Sequence, residues 1–462
     1  MTKKLELLLP AWDFEKLKYA YAYWADACYV GAPMFSLRAR TNAFTMKTLK
    51  EAVEYAHNLD KKIYFTANIY AHNVKIKPFL AQFKKMVEMN PDAFIMSDPW
   101  LIHLVKKDFP DVEIHLSVQA NNTNWAQAEF WQTMGIKRII LSREISLKEM
   151  AEIHEKVPEM ELEAFVHWAI CMAYSGRCLL SNYLSNRDPN QGTCSHSCRW
   201  EYKVYKEKDS YQVLKTPSGK VEEMWETGRP KVYETLEWAY YLEEKERPGE
   251  FLAIDEDEYW TYIMNSRDLC AVDYLEDLKK AWIISFKVEW RNKTINYLAS
   301  VWRVYKKVLE AVELGKDYDV NEAMQELFSI ANRWYIPGFL AWNPWANAQF
   351  YERNGGFQTE LFIWPIREYD EEKGLAKVEV KNIFEVWDTL KIITPDDIWE
   401  QKIEKIYRIV WTNRSDKEKE NFEGKLEEVE KAHWGSFDVW INMDKNPGIW
   451  AIVRKNVEGK CL

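Results

Sequence analysis

The sequence predicts an α/β chain: a closed (β/α)8 TIM-like barrel with a cysteine-rich insertion, followed by a small C-terminal β-barrel domain. Three observations lead there. Short apolar runs alternate with amphipathic stretches over the first 290 residues. That rhythm breaks after the seventh run, where four cysteines cluster. From Glu360 onward the texture becomes strand and turn.

The eight runs are Leu5–Leu9, Ala27–Val30, Ile63–Ile69, Ala93–Met96, Glu113–Val118, Arg138–Leu141, Leu162–Val166 and Ile284–Val288. Their starts recur about every 20 to 35 residues through the seventh, the spacing of βαβ units. Between them, Met46, Leu49, Val53 and Ala56 share one helical face behind Thr45. Ser146 with Glu149 makes a capping box for another helix. Eight such units close into a barrel; the alternative, an open doubly wound sheet, lacks a GxGxxG loop to support it.

The barrel domain is placed at 1–340, with the insertion at about 168–260. Lys206–Tyr259 is polar and reads as an elaborated loop with some helix, and Met264–Asp268 leads into a helix ending near Trp282. Tyr297–Leu314 is a long amphipathic helix, 341–358 a linker, and 359–462 the β domain. In that domain Leu361–Tyr369, Ala376–Val380 and Thr389–Ile393 are strands, and Phe437–Ile441 with Ile449–Arg454 a final hairpin.

The 462 residues are 47% apolar and 29% charged, with a formal net charge of −10. Disordered and collagenous classes are excluded, and so is a general basic coat for nucleic acid, though not a local basic pocket. No apolar run reaches the roughly 18 residues that span a bilayer. The start, Met1-Thr-Lys-Lys, has no signal-peptide pattern. A cytoplasmic protein is expected, whose seven cysteines are metal ligands or thiols rather than disulfides.

The strongest chemical signal is Cys171-x6-Cys178-x15-Cys194-x3-Cys198, directly after the seventh strand. Barrel enzymes carry their chemistry at the carboxyl ends of the strands, so the position matters as much as the spacing. Four thiolates suit an iron–sulfur cluster or a tetrahedral zinc; buried thiols without metal are the bland alternative. The wide gaps depart from paired CxxC zinc patterns. Cys270 is a possible substitute ligand, while Cys28 and Cys461 read as core and tail thiols.

Arginines and aromatic residues interleave with these cysteines, among them Tyr174, Arg177, Arg187, Arg199 and Trp200. Guanidinium forks suit carboxylates and phosphates, and aromatic faces suit a stacked base; an ordinary solvated loop is the competing reading. Other polar groups fall at or past strand ends: Asp13, Asn68, His72, Asp98, Gln119, Arg143, Glu144, His167, Glu289 and Arg291. In a barrel these converge on one mouth, although several merely cap the next helix. His115, inside a strand, reads as a hydrogen-bonded interior histidine. No HExxH, P-loop or GxSxG occurs, which disfavours hydrolases built on those templates.

At these residues the chain resembles a known family. Glu163–Ser181, with Cys171, Gly176 and Cys178, resembles the signature of the collagenase-like peptidase family U-32, departing from it at Trp168, where that signature has glycine. Leu8–Ala11, Phe35–Arg40, Met96–Pro99, His115–Ala120, Arg187–Cys194 and Cys198–Tyr202 extend the likeness over nearly the whole chain. Its size and β tail are similar to a branch implicated in prephenate-dependent conversion of the tRNA wobble uridine to 5-hydroxyuridine. Relatives hydroxylate ribosomal RNA or ubiquinone precursors, and some carry a four-iron four-sulfur (4Fe-4S) cluster.

The resemblance implies Cys171, Cys178, Cys194 and Cys198 as cluster ligands, Cys198 being the one whose counterpart varies. Charge and position nominate Arg143, Arg177, Arg199 and Arg291, with Glu289 and His167, for substrate binding. The expected activity is RNA hydroxylation with tRNA and a small anionic co-substrate such as prephenate. The alternatives are a peptidase, for which no nucleophile is evident, and an RNA-binding module with a structural zinc.

One composition figure is abnormal: 23 tryptophans outnumber 16 glycines, although glycine ordinarily makes up about 7% of a chain. Trp12, Trp24, Trp100, Trp168, Trp260, Trp282, Trp290, Trp334 and Trp387 stand where the family pattern has glycine. Trp125, Trp131 and Trp200 stand where relatives also carry tryptophan. Putting the largest side chain in place of the smallest at strand–helix turns conflicts with positive φ and close backbone approach. The pattern predicts a gene that reads UGA as glycine at these nine positions.

Overall fold

A computed structural model describes residues 4–37, 42–169, 173–185, 187–191, 194–195, 197, 202–206, 240–244, 251–254, 267–289, 295–341, 358–410, 425–433 and 438–456. The barrel half runs β1 (Glu6–Ala11), α1 (Phe14–Ala22), β2 (Ala27–Gly31), α2 (Met46–Asn58), β3 (Lys62–Thr66), α3 (Asn73–Val87), β4 (Ala93–Met96), α4 (Pro99–Asp108), β5 (Ile114–Leu116), α5 (Trp125–Thr133), β6 (Arg138–Ile140), α6 (Leu147–Lys156) and β7 (Glu161–Ala169). After α7 (Leu180–Ser185) come β8 (Tyr202–Lys206), β9 (Tyr240–Glu244) and β10 (Phe251–Ile254). They are followed by β11 (Asp268–Cys270), α8 (Leu275–Lys280), β12 (Ile283–Val288), α9 (Ile295–Leu314), α10 (Val320–Ser329) and β13 (Tyr335–Ile336).

Strands β1 to β7 pair in parallel in sequence order, and β12 pairs in parallel with both β7 and β1, closing an eight-stranded barrel. Closure follows from strands that are apolar on both faces. Leu7 and Leu9 point to the surrounding helices, while Leu8 points into the lumen with Tyr29, Tyr64, Ile95, Ile140 and Phe165. The helices start where side chains satisfy their first amides: Asp13 caps α1, Asp98 α4 and Asn124 α5, and Ser146–Glu149 closes the expected box on α6.

Two expectations for the insertion change. The Lys206–Tyr259 stretch, expected as an elaborated loop with some helix, contains β9 and β10, which with β8 form a three-stranded antiparallel sheet. The sequence Tyr-Tyr-Leu in β9 supplies the β-favouring side chains. The segment before Trp282 starts as a strand, since β11 runs antiparallel beside β7, and α8 follows it. The linker, 341–358, lies outside the described residues except at its two ends.

The C-terminal part contains β14 (Glu360–Asp370), β15 (Leu375–Glu379), β16 (Phe384–Glu385), β17 (Thr389–Ile393), β18 (Ile398–Lys402), β19 (Ile406–Val410), β20 (Lys425–Val429), β21 (Lys431–Ala432), β22 (Asp438–Asn442) and β23 (Ile452–Asn456). Its main sheet is antiparallel, in the order β18-β17-β23-β14-β15-β22-β19-β20. The final hairpin does not form: β22 pairs with β15 and β19, β23 with β14 and β17. The long β14 decides this, because its bulged length serves β23 at one end and β15 at the other. Gln401 of β18 donates to the Asn442 carbonyl at 2.8 Å, so the sheet coils toward a barrel without a closing ladder among the described residues. Phe362, Ile393 and Ile452 join the barrel's own core. The fully buried Arg454 reaches Asn296 Oδ1 of α9 and Ser329 Oγ of α10.

Four of the nine anomalous tryptophans have left-handed backbones: Trp24 (φ 61°), Trp282 (φ 64°), Trp334 (φ 57°) and Trp387 (φ 76°). Trp24 sits in a helix-ending motif in which its amide bonds Tyr21 O at 3.0 Å and the Ala25 amide bonds Ala20 O at 3.0 Å. The same motif closes α5 and α9 with Gly135 and Gly315. At Trp282 the amide of the corresponding residue bonds Lys279 O at 3.0 Å. Trp260 and Trp290, and the Trp168 side chain, lie outside the described residues.

Candidate active site

The lumen is charged on the side of the strand starts. Glu6, Arg138, Glu163 and Lys287 interrupt apolar strand runs, and the barrel brings them together. Arg138 reaches Glu6 at 2.5 Å, Glu161 at 3.0 Å and Glu163 at 3.4 Å, while Lys287 reaches Glu163 at 2.7 Å. Tyr64 and Ser285 donate to Glu6 at 2.7 and 2.9 Å. Burial pushes the Glu6 carboxyl up, but the Arg138 guanidinium outweighs it and holds the group below the usual range. Burial holds Lys287 below the usual lysine range despite Glu163. Sequence reasoning missed this network, although four ionisable residues inside apolar strands were its visible signal.

Beyond the strand ends, Arg143 meets Glu289 at 2.5 Å and lies over the Phe165 ring at 4.1 Å. These three, with Trp12, Asn68, Ser117, Gln119 and Lys287, line a lumen cavity of about 80 Å3. Asn68 donates to Ser117 Oγ at 3.2 Å and accepts from the Leu37 amide at 3.1 Å, so it fixes the loop after β3 against its neighbours.

The described part of the cysteine segment lies over this mouth. Ser175 donates to Glu144 through its amide (2.8 Å) and hydroxyl (3.0 Å). Gly176, at φ +74°, passes so close to Gln119 that a Cβ would stand 2.0 Å from its carbonyl oxygen. Tyr70 OH donates to that same oxygen at 2.7 Å. Asn190 donates to Cys178 O at 3.2 Å, and its own carbonyl accepts from the Tyr70 amide at 3.3 Å. The Ser195 amide donates to Ser181 Oγ at 2.8 Å, which ties the segment beside Cys194 to the one following Cys178. Between this segment and the loops after β3 and β4 opens a cleft of about 770 Å3, lined by Tyr70, His72, Asp98, Trp100, Trp131 and Arg177 among others.

Arg143 and Glu289 thus stand at the lumen cavity and Arg177 at the outer cleft. Cys178 is half-buried and Cys194 exposed on the same segment. Cys171, Cys198, Arg199 and Arg291 lie outside the described residues. Among the described residues no three His, Cys, Asp or Glu side chains form a metal-binding group. Cys270 is sealed against Tyr305 and Met324, and burial pushes its thiol up to about 12. Cys28 is buried in the core, and His115 is buried and bonded to Glu113 at 2.9 Å, as expected of each.

His167 is not at the mouth cavity. Its Nδ1 stands 3.1 Å from Tyr305 OH, and its ring packs against Tyr297 and Tyr335. A register shift where β7 pairs with β12 accompanies this placement. Burial lowers its pKa to about 3, so the folded state holds it neutral. Its unfolded value is near 6.5, and stability is therefore lost as pH falls from 6.5 toward 3, by about 1.4 kcal/mol per pH unit. Urea unfolding of His167→Gln is expected to show a shallower decline between pH 6.5 and 4.5 than the parent; equal slopes would refute this assignment.

A family model, "Peptidase family U32", matches residues 12–349. The chain belongs to peptidase family U32. Its U32 relatives include "tRNA hydroxylation protein P" of Escherichia coli (strain K12), 46% identical over 85% of this chain and 86% of that protein. "tRNA hydroxylation protein P1" of Bacillus subtilis (strain 168) is 33% identical over 86% of this chain and 85% of its own length. "23S rRNA 5-hydroxycytidine C2501 synthase" of Escherichia coli (strain K12) is 29% identical over 67% of this chain and 40% of its own length. Among the described residues no helix is long and apolar enough to cross a membrane.

Proposed function

We propose that this U32 protein hydroxylates RNA: it converts the tRNA wobble uridine to 5-hydroxyuridine, with prephenate as the small anionic co-substrate. The observation that carries this reading is the 46% identity, over 85% of the chain, to a tRNA hydroxylation protein. The geometry is compatible with it. The outer cleft combines the aromatic walls Tyr70 and Trp131 with Arg177, a composition that suits a single-stranded base and its phosphate. Arg143 and Lys287 stand deeper, paired with Glu289 at 2.5 Å and with Glu163 at 2.7 Å, and would hold a carboxylate only by exchanging these partners.

Cys171, Cys178, Cys194 and Cys198 would hold a 4Fe-4S cluster at the mouth. Of these four, Cys178 and Cys194 lie among the described residues, on segments hydrogen-bonded to each other above the strand ends, and thiolates are the donors such a group takes. When bound, the cluster supplies one-electron transfer. The chain's own residues would stack and orient the base, pair with the acid and exclude water. Zinc on the same thiolates, in a module that only binds RNA, is the competing occupant.

The peptidase reading has little behind it. Ser97 Oγ donates to Asn68 O at 2.7 Å, and Ser117 Oγ accepts from Asn68 at 3.2 Å; among the described residues neither hydroxyl is paired with a histidine base.

The test is nucleoside analysis of bulk tRNA from a strain lacking this gene. Loss of 5-hydroxyuridine and its derivatives, restored by the parental gene but not by Cys178→Ala, is expected; unchanged nucleosides would overturn the reading. Protein purified without oxygen should be brown and carry iron and sulfide, whereas colourless, zinc-bearing protein favours the RNA-binding alternative.

A further inference from the structure

We infer that the cleft between α9, α10 and the β domain binds a small ligand with one oxyanion group on an apolar body, and that Arg303 is the cation that holds it. The cleft encloses about 540 Å3, within the roughly 300–1,000 Å3 usual for small-molecule sites. Helices α9 and α10 form two of its walls, and Lys391 of β17 with Ile398 of β18 forms the third. It shares no lining residue with the lumen cavity or with the outer cleft.

The ion pairs of the lining decide what this cleft can take. Lys391 pairs with Glu326 and Glu360 at 2.9 Å each, and the buried Arg454 behind it meets the same two carboxylates at 3.2 and 2.8 Å. Lys307 pairs with Glu322 at 2.7 Å. Asp319 accepts from the Asn321 and Glu322 amides and so caps α10. Arg303 is different. Half-buried in the wall, it has neither a hydrogen bond nor an ion pair among the described residues, and its Nε is buried without a partner. Asp397, close enough to feel its charge, is itself paired with Lys445. A guanidinium withdrawn from water without a counter-charge is costly, and an oxyanion arriving at its outer amino groups offsets that cost.

The rest of the lining limits the guest. Val304, Val308, Ala323 and Ile398 offer it an apolar surface. Asp317, Asp319 and Glu322 stand at the α9–α10 turn, and this acidic rim repels a polyanion such as a nucleic-acid backbone. The guest is therefore small, a carboxylate or a phosphate monoester on an apolar chain or ring. Bound there, it bridges the barrel helices to the β domain. The inference stands apart from the hydroxylation reading and does not depend on it.

Calorimetric titration of the purified full chain with hexanoate, hexyl phosphate and neutral hexanol tests it. Both anions are expected to bind the parent, hexanol at least about tenfold more weakly. Arg303→Gln should cost the anions a similar factor, while Arg303→Lys, which keeps the charge, should retain part of the affinity; melting curves show whether each variant is folded. Tighter hexanoate binding assigns a carboxylate guest, and tighter hexyl phosphate binding a phosphate monoester. Bulk tRNA should not displace the bound anion. Anions that bind no better than hexanol, or equally well to parent and Arg303→Gln, overturn the site, and displacement by tRNA overturns its restriction to small guests.

Discussion

Arg138→Met is expected to lower the stability of the chain by about 3–5 kcal/mol. The guanidinium sits in the lumen with its side chain 6% exposed, in contact with Glu6, Glu161 and Glu163. Methionine fills similar space, so the loss measures charge rather than volume. It leaves Glu6 with only the hydroxyls of Tyr64 and Ser285, and Glu163 with Lys287 and Ser285. An uncompensated buried carboxylate is costly, whereas removing both partners of a pair is far less so. Glu6→Gln combined with Arg138→Met should therefore be less damaging than the sum of the two changes. Urea unfolding of the four proteins in this cycle measures the coupling. A single-variant loss below about 1 kcal/mol would mean that water, not Arg138, balances these carboxylates.

The pH dependence follows from the same pair. The folded-state carboxyl of Glu6 lies below its ordinary value of 4.5. Its share of stability is thus present above pH 4.5 and is lost as pH falls through the lowered value. Arg138→Met should erase that share, so parent and variant should converge in stability toward the acid limit.

Glycine at positions 24, 282, 334 and 387 together is expected to raise stability by about 2 kcal/mol. A left-handed backbone costs a non-glycine residue roughly 1–2 kcal/mol. The extra freedom of glycine in the unfolded chain returns about 0.4–1 kcal/mol of that. Little packing is at stake at the exposed sites: Trp282 is 58% and Trp387 61% exposed. Trp282 does lose its stack on His154, with centroids 4.4 Å apart. Trp131→Gly is the opposite control, because Trp131 is buried in α5 and its loss should cost about 3–5 kcal/mol. If the four-site variant is less stable than the parent, glycine is not what these turns require. The codons provide a separate check: UGA at these four positions is expected, and UGG would end the reading.

The barrel was legible because its evidence is local. Each of the eight runs alternates with a helical face, and a period of two or of 3.6 needs no knowledge of distant residues. The positions of Trp24 and Trp282 stood out only through the family resemblance, which has glycine there, and the structure gives both a left-handed backbone. The sequence by itself therefore determined the class of fold and the place of the cysteine segment after β7, whereas the structure divides Arg143 and Glu289 of the lumen cavity from Arg177 of the outer cleft.

The tertiary structure decided what depends on partners far along the chain. It joined Glu6, Arg138, Glu163 and Lys287 into one network, sent β22 and β23 to different neighbours, and turned His167 toward Tyr305. Strand exchange and side-chain direction are set by ladder partners and by the volume left for each side chain. Neither is encoded in local periodicity, since a one-residue register shift reverses the face on which a side chain lands.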